Sequence, residues 1–388
     1  MKRAVPSDRM KRIDMPPIAE IMDRVRSLGA EGATVYPMAQ AVPWYAPPRE
    51  ALQTLADRLF EVSTSGYGPD PGLPGPRKAL AEDFRRRRGI DLDPMGEMHL
   101  TCGASQAFLG ALMACTNPGD RVIVLEPYYF DHVFAIRFGA LEVVSVPMRE
   151  TEGWELPEET LAEAIPGASA LVLVNPGNPT GCVLDERQLR WLTQATGEHG
   201  CHLIIDETYE RFNFDGSRWH PWGEGRPSHV ITFGSFSKSL GMAGWRLGYM
   251  FGEAGLMEQA LKVQDSVVIC PPTPAQLLLE RALQLGGWVE ERAGGVLHRR
   301  RLCREAVDAC SGLSWRRAGG GFFTLAAVDS GAPSREVCLQ LLDRYGIATI
   351  PGAAFGPAGE GHVRVSFGCL SEEQLGPAME ALARVEVG

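Results

Sequence analysis

Residues 235–249 read Ser235-Phe-Ser-Lys238-Ser-Leu-Gly-Met-Ala-Gly-Trp-Arg246-Leu-Gly-Tyr249. A single lysine stands among hydroxyl residues and glycines, and an arginine follows eight residues later. The apolar runs 231–233 and 246–251 have the composition of buried strands. A strand–turn–strand of this kind places Lys238 at a sheet edge, where its amine is partly desolvated. Because desolvation disfavours the ammonium ion, we expect a lowered lysine pKa and a nucleophilic amine.

The residues around this lysine suit a phosphate group. Ser235 and Ser237 offer hydroxyls, and Arg246 offers a planar fork of N–H donors to phosphate oxygens. A nucleophilic lysine beside phosphate-binding groups indicates a bound phosphorylated aldehyde, and in practice this aldehyde is pyridoxal 5′-phosphate. We therefore expect this cofactor at Lys238.

The composition is that of a soluble protein. The length of 388 residues favours two domains, and a net charge of -10 argues against nucleic acid as a partner. No apolar run approaches the ~20 residues that a membrane helix needs. Nine cysteines without a C-x-x-C pair indicate free thiols in a reducing compartment, and the N-terminus lacks the apolar core of a signal peptide. We expect a cytoplasmic protein.

Short apolar segments alternate with helical patterns between residues 99 and 251. This alternation predicts an α/β fold with a mostly parallel, seven-stranded sheet covered on both faces. Ligands of such sheets bind outside the carboxyl ends of the strands. The candidate strands are 99–101, 122–125, 141–146, 170–174, 203–205, 230–233 and 247–251.

The sequence divides into three parts. Residues 1–45 form an arm, residues 46–286 a large cofactor-binding domain, and residues 287–388 a smaller α+β domain that the arm helps to complete. The last boundary lies where the composition changes to an arginine-rich helical pattern. Candidate strands of the small domain are 319–325, 347–350 and 362–367.

Polar residues follow two of the candidate strands. Asp206 ends an apolar run, and a buried carboxylate there needs a cation such as a protonated pyridine nitrogen. Asn178 lies in the turn Asn-Pro-Gly-Asn-Pro-Thr-Gly at 175–181, where its amide could donate to a phenolate oxygen.

Three further positions have two interpretations each. The residues Gly103, Ala104 and Ser105 open a helix whose amides suit a phosphate, although small residues begin many helices. Tyr129 either stacks on a flat ring or is an ordinary core aromatic residue. Arg364, a lone cation on an apolar strand, pairs either with a protein carboxylate or with a substrate α-carboxylate.

In combination these motifs resemble the class I/II aminotransferases, which are pyridoxal-phosphate enzymes of fold type I. The resemblance runs in the same order from Tyr67 to Arg364. It rests on N-P-G-N-P-T-G, on D-E-T-Y at 206–209 and on S-F-S-K…G-W-R-L-G at 235–248. It implies transfer of an amino group from an L-amino acid to a 2-oxo acid, through a Lys238 Schiff base and a Cα carbanion (quinonoid).

The resemblance also implies roles around the cofactor ring. Lys238 would be both the covalent anchor and the proton shuttle. Asp206 would contact the pyridine nitrogen, whereas Tyr209 and Asn178 would contact the ring oxygen. Tyr129 would stack on the ring.

Further implied roles concern the phosphate, the substrate and a second subunit. Ser235, Arg246 and the turn 103–105 would hold the phosphate. Arg364 would bind the substrate carboxylate. Tyr67 would reach the phosphate of a neighbouring subunit, which implies a homodimer with shared sites.

One position departs from the family pattern. Ala41 replaces a glycine whose amide usually meets the substrate carboxylate, and its methyl group narrows that approach. Trp44 and Tyr45 follow, and they either shape a bulky side-chain pocket or pack the arm. The departure leaves elimination, replacement, cyclisation or oxidation with the same cofactor as alternatives to transamination.

Overall fold

A computed structural model of the chain describes residues 5, 7–11, 13 and 18–387. The other residues of the arm 1–45, and residue 388, lie outside the described part. The helices are α1 (Asp8–Lys11), α2 (Ala19–Ala30), α3 (Arg49–Arg58), α4 (Val62–Ser65), α5 (Pro74–Arg88), α6 (Ala104–Cys115), α7 (Phe130–Phe138), α8 (Glu158–Ala164), α9 (Glu186–Glu198), α10 (Phe236–Ser239), α11 (Ala254–Val268), α12 (Thr273–Gln284), α13 (Trp288–Ala309), α14 (Ser334–Tyr345) and α15 (Glu372–Ala383). None of them combines the length and the apolar composition needed to cross a bilayer.

The strands form a large sheet, a small sheet and a short hairpin. They are β1 (Met98–Thr101), β2 (Arg121–Glu126), β3 (Glu142–Pro147), β4 (Arg149–Glu150), β5 (Trp154–Glu155), β6 (Ala170–Val174), β7 (His202–Asp206), β8 (Val230–Ser235), β9 (Gly248–Phe251), β10 (Leu313–Ser314), β11 (Phe323–Val328), β12 (Ile350–Pro351) and β13 (His362–Ser366). The hairpin is β4–β5.

The large sheet confirms the predicted α/β fold. Its strand order is β1-β9-β8-β7-β6-β2-β3, and all seven predicted strands take part. Only β9 runs against its neighbours, pairing antiparallel with both β1 and β8. The carboxyl ends of the other six strands therefore lie at one edge of the sheet.

Both faces of this sheet are covered. Along β7, Leu203 and Ile205 belong to one hydrophobic core, whereas Ile204 belongs to a second core on the opposite face. Because successive side chains of a strand point to opposite faces, a strand buried on both sides is apolar throughout. This explains the continuous apolar runs in the sequence.

The small sheet is antiparallel, with the order β10-β11-β13-β12. The described part of the arm packs against it: Ile21 and Met38 lie in the same hydrophobic core as Leu341 and Phe355. The N–H of Ser366 also donates to the carbonyl oxygen of Met38 at 2.9 Å. The boundaries at residues 45 and 286 remain predictions.

Two strands of the small sheet differ from the prediction. The strand expected at 319–325 begins only at Phe323, because the backbone before it pairs elsewhere: Gly320 forms an isolated bridge with Asn213, and its N–H donates to the carbonyl oxygen of Gly181. The strand expected at 347–350 shrinks to Ile350–Pro351. The preceding residues pair with the arm instead, since the N–H of Ala348 donates to the carbonyl oxygen of Tyr36.

Candidate active site

A cavity of about 230 Å³ lies at the carboxyl ends of the parallel strands. It is lined by the segments that follow β1, β2, β6, β7 and β8, which chain topology brings to one edge of the sheet. The residues predicted from the sequence that line it are Ala104, Ser105, Tyr129, Asn178, Asp206, Tyr209, Ser235, Ser237, Lys238 and Arg246.

Lys238 lies on the short helix α10, directly after β8. The side chain of Ser235 begins this helix by accepting a hydrogen bond from the Ser237 N–H at 3.1 Å. The Nζ of Lys238 donates to the carbonyl oxygen of Ala41 at 2.5 Å. Burial lowers the Lys238 pKa to about 8, and the charge of Arg364 acts in the same direction. An amine with this pKa is partly neutral, and therefore nucleophilic, near pH 8.

Asp206 ends β7 and is buried. Its Oδ1 accepts a hydrogen bond from the Thr208 N–H at 2.9 Å, and its Oδ2 lies 3.2 Å from Nε2 of His132. His132 was not predicted from the sequence; its position three residues after Tyr129, in the first turn of α7, was the only local signal. The Oγ1 of Thr208 is buried without a hydrogen-bond partner in the described part of the chain.

The turn 103–105, Ser235 and Arg246 form the proposed phosphate-binding site, called the phosphate cradle below. Its shape depends on two glycines. Gly103 has φ +81°, and a Cβ there would lie 2.6 Å from Nη2 of Arg246. A Cβ on Gly248 would lie 2.8 Å from the carbonyl carbon of Gly103. Only glycine lets the turn, the arginine and β9 approach so closely. The N-terminus of α6 and the guanidinium of Arg246 therefore face the same space.

Hydroxyl groups complete this cradle. The Oγ of Ser235 donates to the Oγ of Ser237 at 2.8 Å, and both side chains line the cavity. Ser237, like Ser235, was expected from the sequence to suit the phosphate, and the structure places both beside Arg246. Arg246 itself has φ +54°, a backbone conformation that non-glycine residues rarely adopt and that is concentrated at functional sites.

Arg364 lies on β13 and is buried. Its Nη1 donates to Oδ1 of Asn178 at 2.9 Å, and its Nη2 donates to the carbonyl oxygen of Ala39 at 2.7 Å. Its Nε is buried without a partner among the described residues. The rings of Phe323 and Phe355 lie 5.5 and 5.1 Å from the guanidinium carbon. No carboxylate of the described chain pairs with Arg364, and its Nε is free for another acceptor.

Two tyrosines flank the cavity. The hydroxyl of Tyr129 donates to Oδ2 of Asp131 at 2.6 Å, and burial raises the Tyr129 pKa well above its usual value. Tyr209 is buried, with its ring edge-on to Phe323 at 5.0 Å, and burial also raises its pKa. Both tyrosines therefore carry neutral hydroxyl groups in the protein without cofactor.

The remaining predicted residues lie around the cavity or away from it. The carbonyl of Ala41 faces the lysine amine, and its φ is not in the left-handed region, so the backbone conformation does not require glycine here. Trp44 packs under Arg299, with its ring 3.8 Å from the guanidinium carbon. Tyr67 is 83% exposed and does not line this cavity.

Comparison with known proteins connects this geometry to a family. The profile of the family Aminotransferase class I and II matches residues 34–382. The chain is 34% identical to the aromatic aminotransferase ISS1 of Arabidopsis thaliana over 96% of this chain and 93% of that protein. It is 33% identical to the aspartate/prephenate aminotransferase of Thermus thermophilus over 96% of each.

Solved structures agree with the sequence relatives. The aspartate aminotransferase of Thermus thermophilus with maleate superimposes with a TM-score of 0.90 at 31% identity, over 98% of this chain and 99% of that one. The aspartate aminotransferase of Rhizobium meliloti also gives a TM-score of 0.90, at 27% identity over 98% of each chain. The chain belongs to the class I and II aminotransferases, the pyridoxal-phosphate-dependent transferases of fold type I.

Proposed function

We propose that Lys238 carries the reaction of this aminotransferase: it anchors the cofactor and moves the proton as an amino group passes from an L-amino acid to a 2-oxo acid. The observation that carries the proposal is the Lys238 amine itself, with a pKa lowered to about 8 in a cavity shared with Asp206. Bound pyridoxal phosphate supplies the electron sink that stabilises negative charge at the amino-acid Cα.

Lys238 is suited to proton transfer because its amine can change both its partner and its charge. In the structure Nζ rests on the carbonyl oxygen of Ala41. Released from that contact, a neutral amine could take the proton from Cα and return it at C4′, the aldehyde carbon of the cofactor. A base is most effective when its pKa is near the working pH, and a value of about 8 meets that condition.

The ring of the cofactor would be held by groups at the ends of two strands, β6 and β7. The carboxylate of Asp206 would pair with the pyridine nitrogen, while His132 and the Thr208 N–H keep its oxygens in place. The hydroxyl of Tyr209 and the amide nitrogen of Asn178 would donate to the ring oxygen. The amide oxygen of Asn178 already accepts from Arg364, which orients its nitrogen.

The phosphate would lie in the cradle beside α6. Three kinds of donor converge there: the hydroxyls of Ser235 and Ser237, the guanidinium of Arg246 and the first amides of α6. Helix N-termini and arginine both favour a dianion. The Arg246 guanidinium and the α6 dipole would therefore hold the cofactor even while its bond to Lys238 is broken.

Arg364 would bind the α-carboxylate of the substrate. An arginine has five N–H donors, and the described chain uses one on Nη1 and one on Nη2. The unpartnered Nε and the remaining N–H groups could take both oxygens of a carboxylate. This contact would place the amino group towards Lys238.

We further propose that the preferred donor has an apolar or aromatic side chain. The cations that line the cavity in the described chain are Lys238 and Arg246, and both have cofactor roles in this proposal. Asp131 also lines the cavity and would repel a second carboxylate. The Arabidopsis relative is named an aromatic aminotransferase, and the Thermus relative an aspartate/prephenate aminotransferase.

A homodimer is proposed as the working form. Phe60 is 95% exposed and Val62 89% exposed, close along the chain to the exposed Tyr67. Large apolar side chains left in water favour burial against another surface. A second copy would cover them and bring Tyr67 to the phosphate of its partner.

A reducing compartment, the cytoplasm, is also proposed. All nine cysteines are free thiols. An odd number of free cysteines fits a compartment in which thiols stay reduced.

The test is a single turnover without acceptor. The protein loaded with pyridoxal phosphate is mixed with one equivalent of L-phenylalanine or L-aspartate, and the absorbance and products are followed. We expect the amine form of the cofactor and one equivalent of 2-oxo acid, with phenylalanine reacting faster. Release of ammonia with the aldehyde form restored would refute transamination, and faster reaction of aspartate would refute the donor assignment.

A further inference from the structure

Tyr45 connects the arm to the main chain of the site lysine. Its hydroxyl donates to the carbonyl oxygen of Lys238 at 2.8 Å, across 193 residues of sequence. Four residues earlier in the arm, the carbonyl oxygen of Ala41 accepts from Lys238 Nζ at 2.5 Å. Lys238 is thus hydrogen-bonded to the arm both at its backbone and at the end of its side chain.

The backbone contact satisfies a group that the helix leaves free. Lys238 lies in the last turn of the four-residue helix α10, whose final carbonyls have no partner within the helix. The next turn passes very close to the arm: Gly241 has φ +66°, and a Cβ there would lie 2.5 Å from the carbonyl oxygen of Tyr45. The arm and α10 therefore fix each other's position.

The ring of Tyr45 is held on its other side by helix α13. It packs edge-on against Trp44 at 4.9 Å and against Trp288 at 5.3 Å between ring centroids. The guanidinium of Arg292 lies 5.2 Å from the Trp288 ring and 5.8 Å from the Tyr45 ring. Burial raises the pKa of the Tyr45 phenol, so the hydroxyl remains a donor.

We propose that Tyr45 is a positioning residue for Lys238: its hydroxyl fixes the lysine backbone so that the amine can swing between the Ala41 carbonyl and the reacting carbon. The inference rests on the proposed role of Lys238 as proton shuttle. A phenylalanine at this position would keep the packing against Trp288 and lose only the hydrogen bond. Small errors in the placement of a catalytic group reduce the rate strongly, and a shift near 1 Å can cost about 100-fold.

The test compares Tyr45→Phe with a matched control, Tyr345→Phe, in the protein loaded with cofactor. The hydroxyl of Tyr345 accepts a hydrogen bond from the Glu386 N–H at 3.0 Å in the small domain, so the control removes the same atom elsewhere. The rates are expressed per bound cofactor. For Tyr45→Phe we expect kcat to fall about 3- to 10-fold, with KM within about two-fold, because one neutral hydrogen bond is lost.

Two further readouts separate positioning from a merely structural role. With Cα-deuterated phenylalanine, the isotope effect on kcat/KM should rise in Tyr45→Phe, because proton transfer becomes slower relative to binding. Without substrate, the pH midpoint of the bound cofactor's absorbance should shift by about 0.5 unit, as expected for a contact of this strength. Tyr345→Phe should change neither quantity.

An unchanged isotope effect and an unchanged absorbance midpoint in Tyr45→Phe would overturn the inference, even if its melting temperature fell. If Tyr45→Phe does not retain cofactor, Gly241→Ala is tested in its place, because the added Cβ would displace the Tyr45 backbone. The inference then requires a raised isotope effect in Gly241→Ala. Ammonia release by the wild-type protein would instead refute the proposed function and is read in a separate assay.

Discussion

Replacing Arg364 with leucine should abolish the preference for donors that carry an α-carboxylate. Two N–H groups of the arginine are used by Asn178 and Ala39 in the described chain, which leaves three of its five donors for substrate. A hydrogen bond to a charged group contributes about 1.5–3 kcal/mol. Two such bonds to the carboxylate thus contribute about 3–6 kcal/mol, and we expect kcat/KM to fall about 10²- to 10⁴-fold.

The assay compares L-phenylalanine with 2-phenylethylamine, which lacks the carboxylate. The wild-type protein should strongly prefer the amino acid, whereas Arg364→Leu should lower only the rate with phenylalanine and bring the two donors close together. Arg364→Lys, which keeps the charge and loses the planar fork, should give an intermediate value. Because Asn178 and Ala39 each lose a hydrogen-bond donor when Arg364 is replaced, the melting temperature of each variant is measured to check that it remains folded. An undiminished preference in Arg364→Leu would refute the assignment.

Two other predictions concern the glycine turn and the lysine. Gly103→Ala should weaken pyridoxal phosphate binding at least about 10-fold, because the added Cβ would meet the Arg246 guanidinium. The control is Gly119→Ala, at φ +92° with no atom within 4 Å of the added Cβ, which should bind the cofactor normally. Equal cofactor affinities of the two variants would contradict the proposed phosphate cradle. In cofactor-free protein the pKa of Lys238 is lowered from 10.5 to about 8. The buried ammonium group therefore destabilises the folded state fully below pH 8, and this destabilisation fades as the pH rises to 10.5. The free energy of unfolding of wild type relative to Lys238→Met should therefore rise over that range, and a flat difference would contradict the buried, desolvated amine.

Much of the site could be predicted because it follows from strand order. Asp206 ends one apolar strand, Asn178 and Lys238 follow within about four residues of two others, and parallel strands place their carboxyl ends at one edge. Local chemistry then indicates the partner: a carboxylate for a ring nitrogen, an amide for an oxygen and an amine for an aldehyde. The structure brings these three residues into one cavity.

The contacts that could not be predicted join distant parts of the chain. His132 lies beside Asp206 only because α7 packs against the sheet end, and a histidine early in a helix has no distinctive sequence pattern. Whether Arg364 pairs with a protein carboxylate depends on packing between β13, the arm and the loop of Asn178. The narrowing of the carboxylate approach by the Ala41 methyl group stays a prediction; the structure shows only that the Ala41 φ is not left-handed and that its carbonyl lies against Lys238 Nζ, contacts set by the tertiary position of the arm.

The most direct test of the account asks where the cofactor becomes attached. The protein is reconstituted with pyridoxal phosphate, reduced with borohydride, digested and examined by mass spectrometry, with Lys238→Ala and Lys262→Ala treated in parallel. We predict that the phosphopyridoxyl group is found on Lys238, and that only Lys238→Ala loses both the label and the visible absorbance. Stoichiometric labelling of another residue, or a Lys238→Ala variant that retains the label and the absorbance, would contradict the central claim.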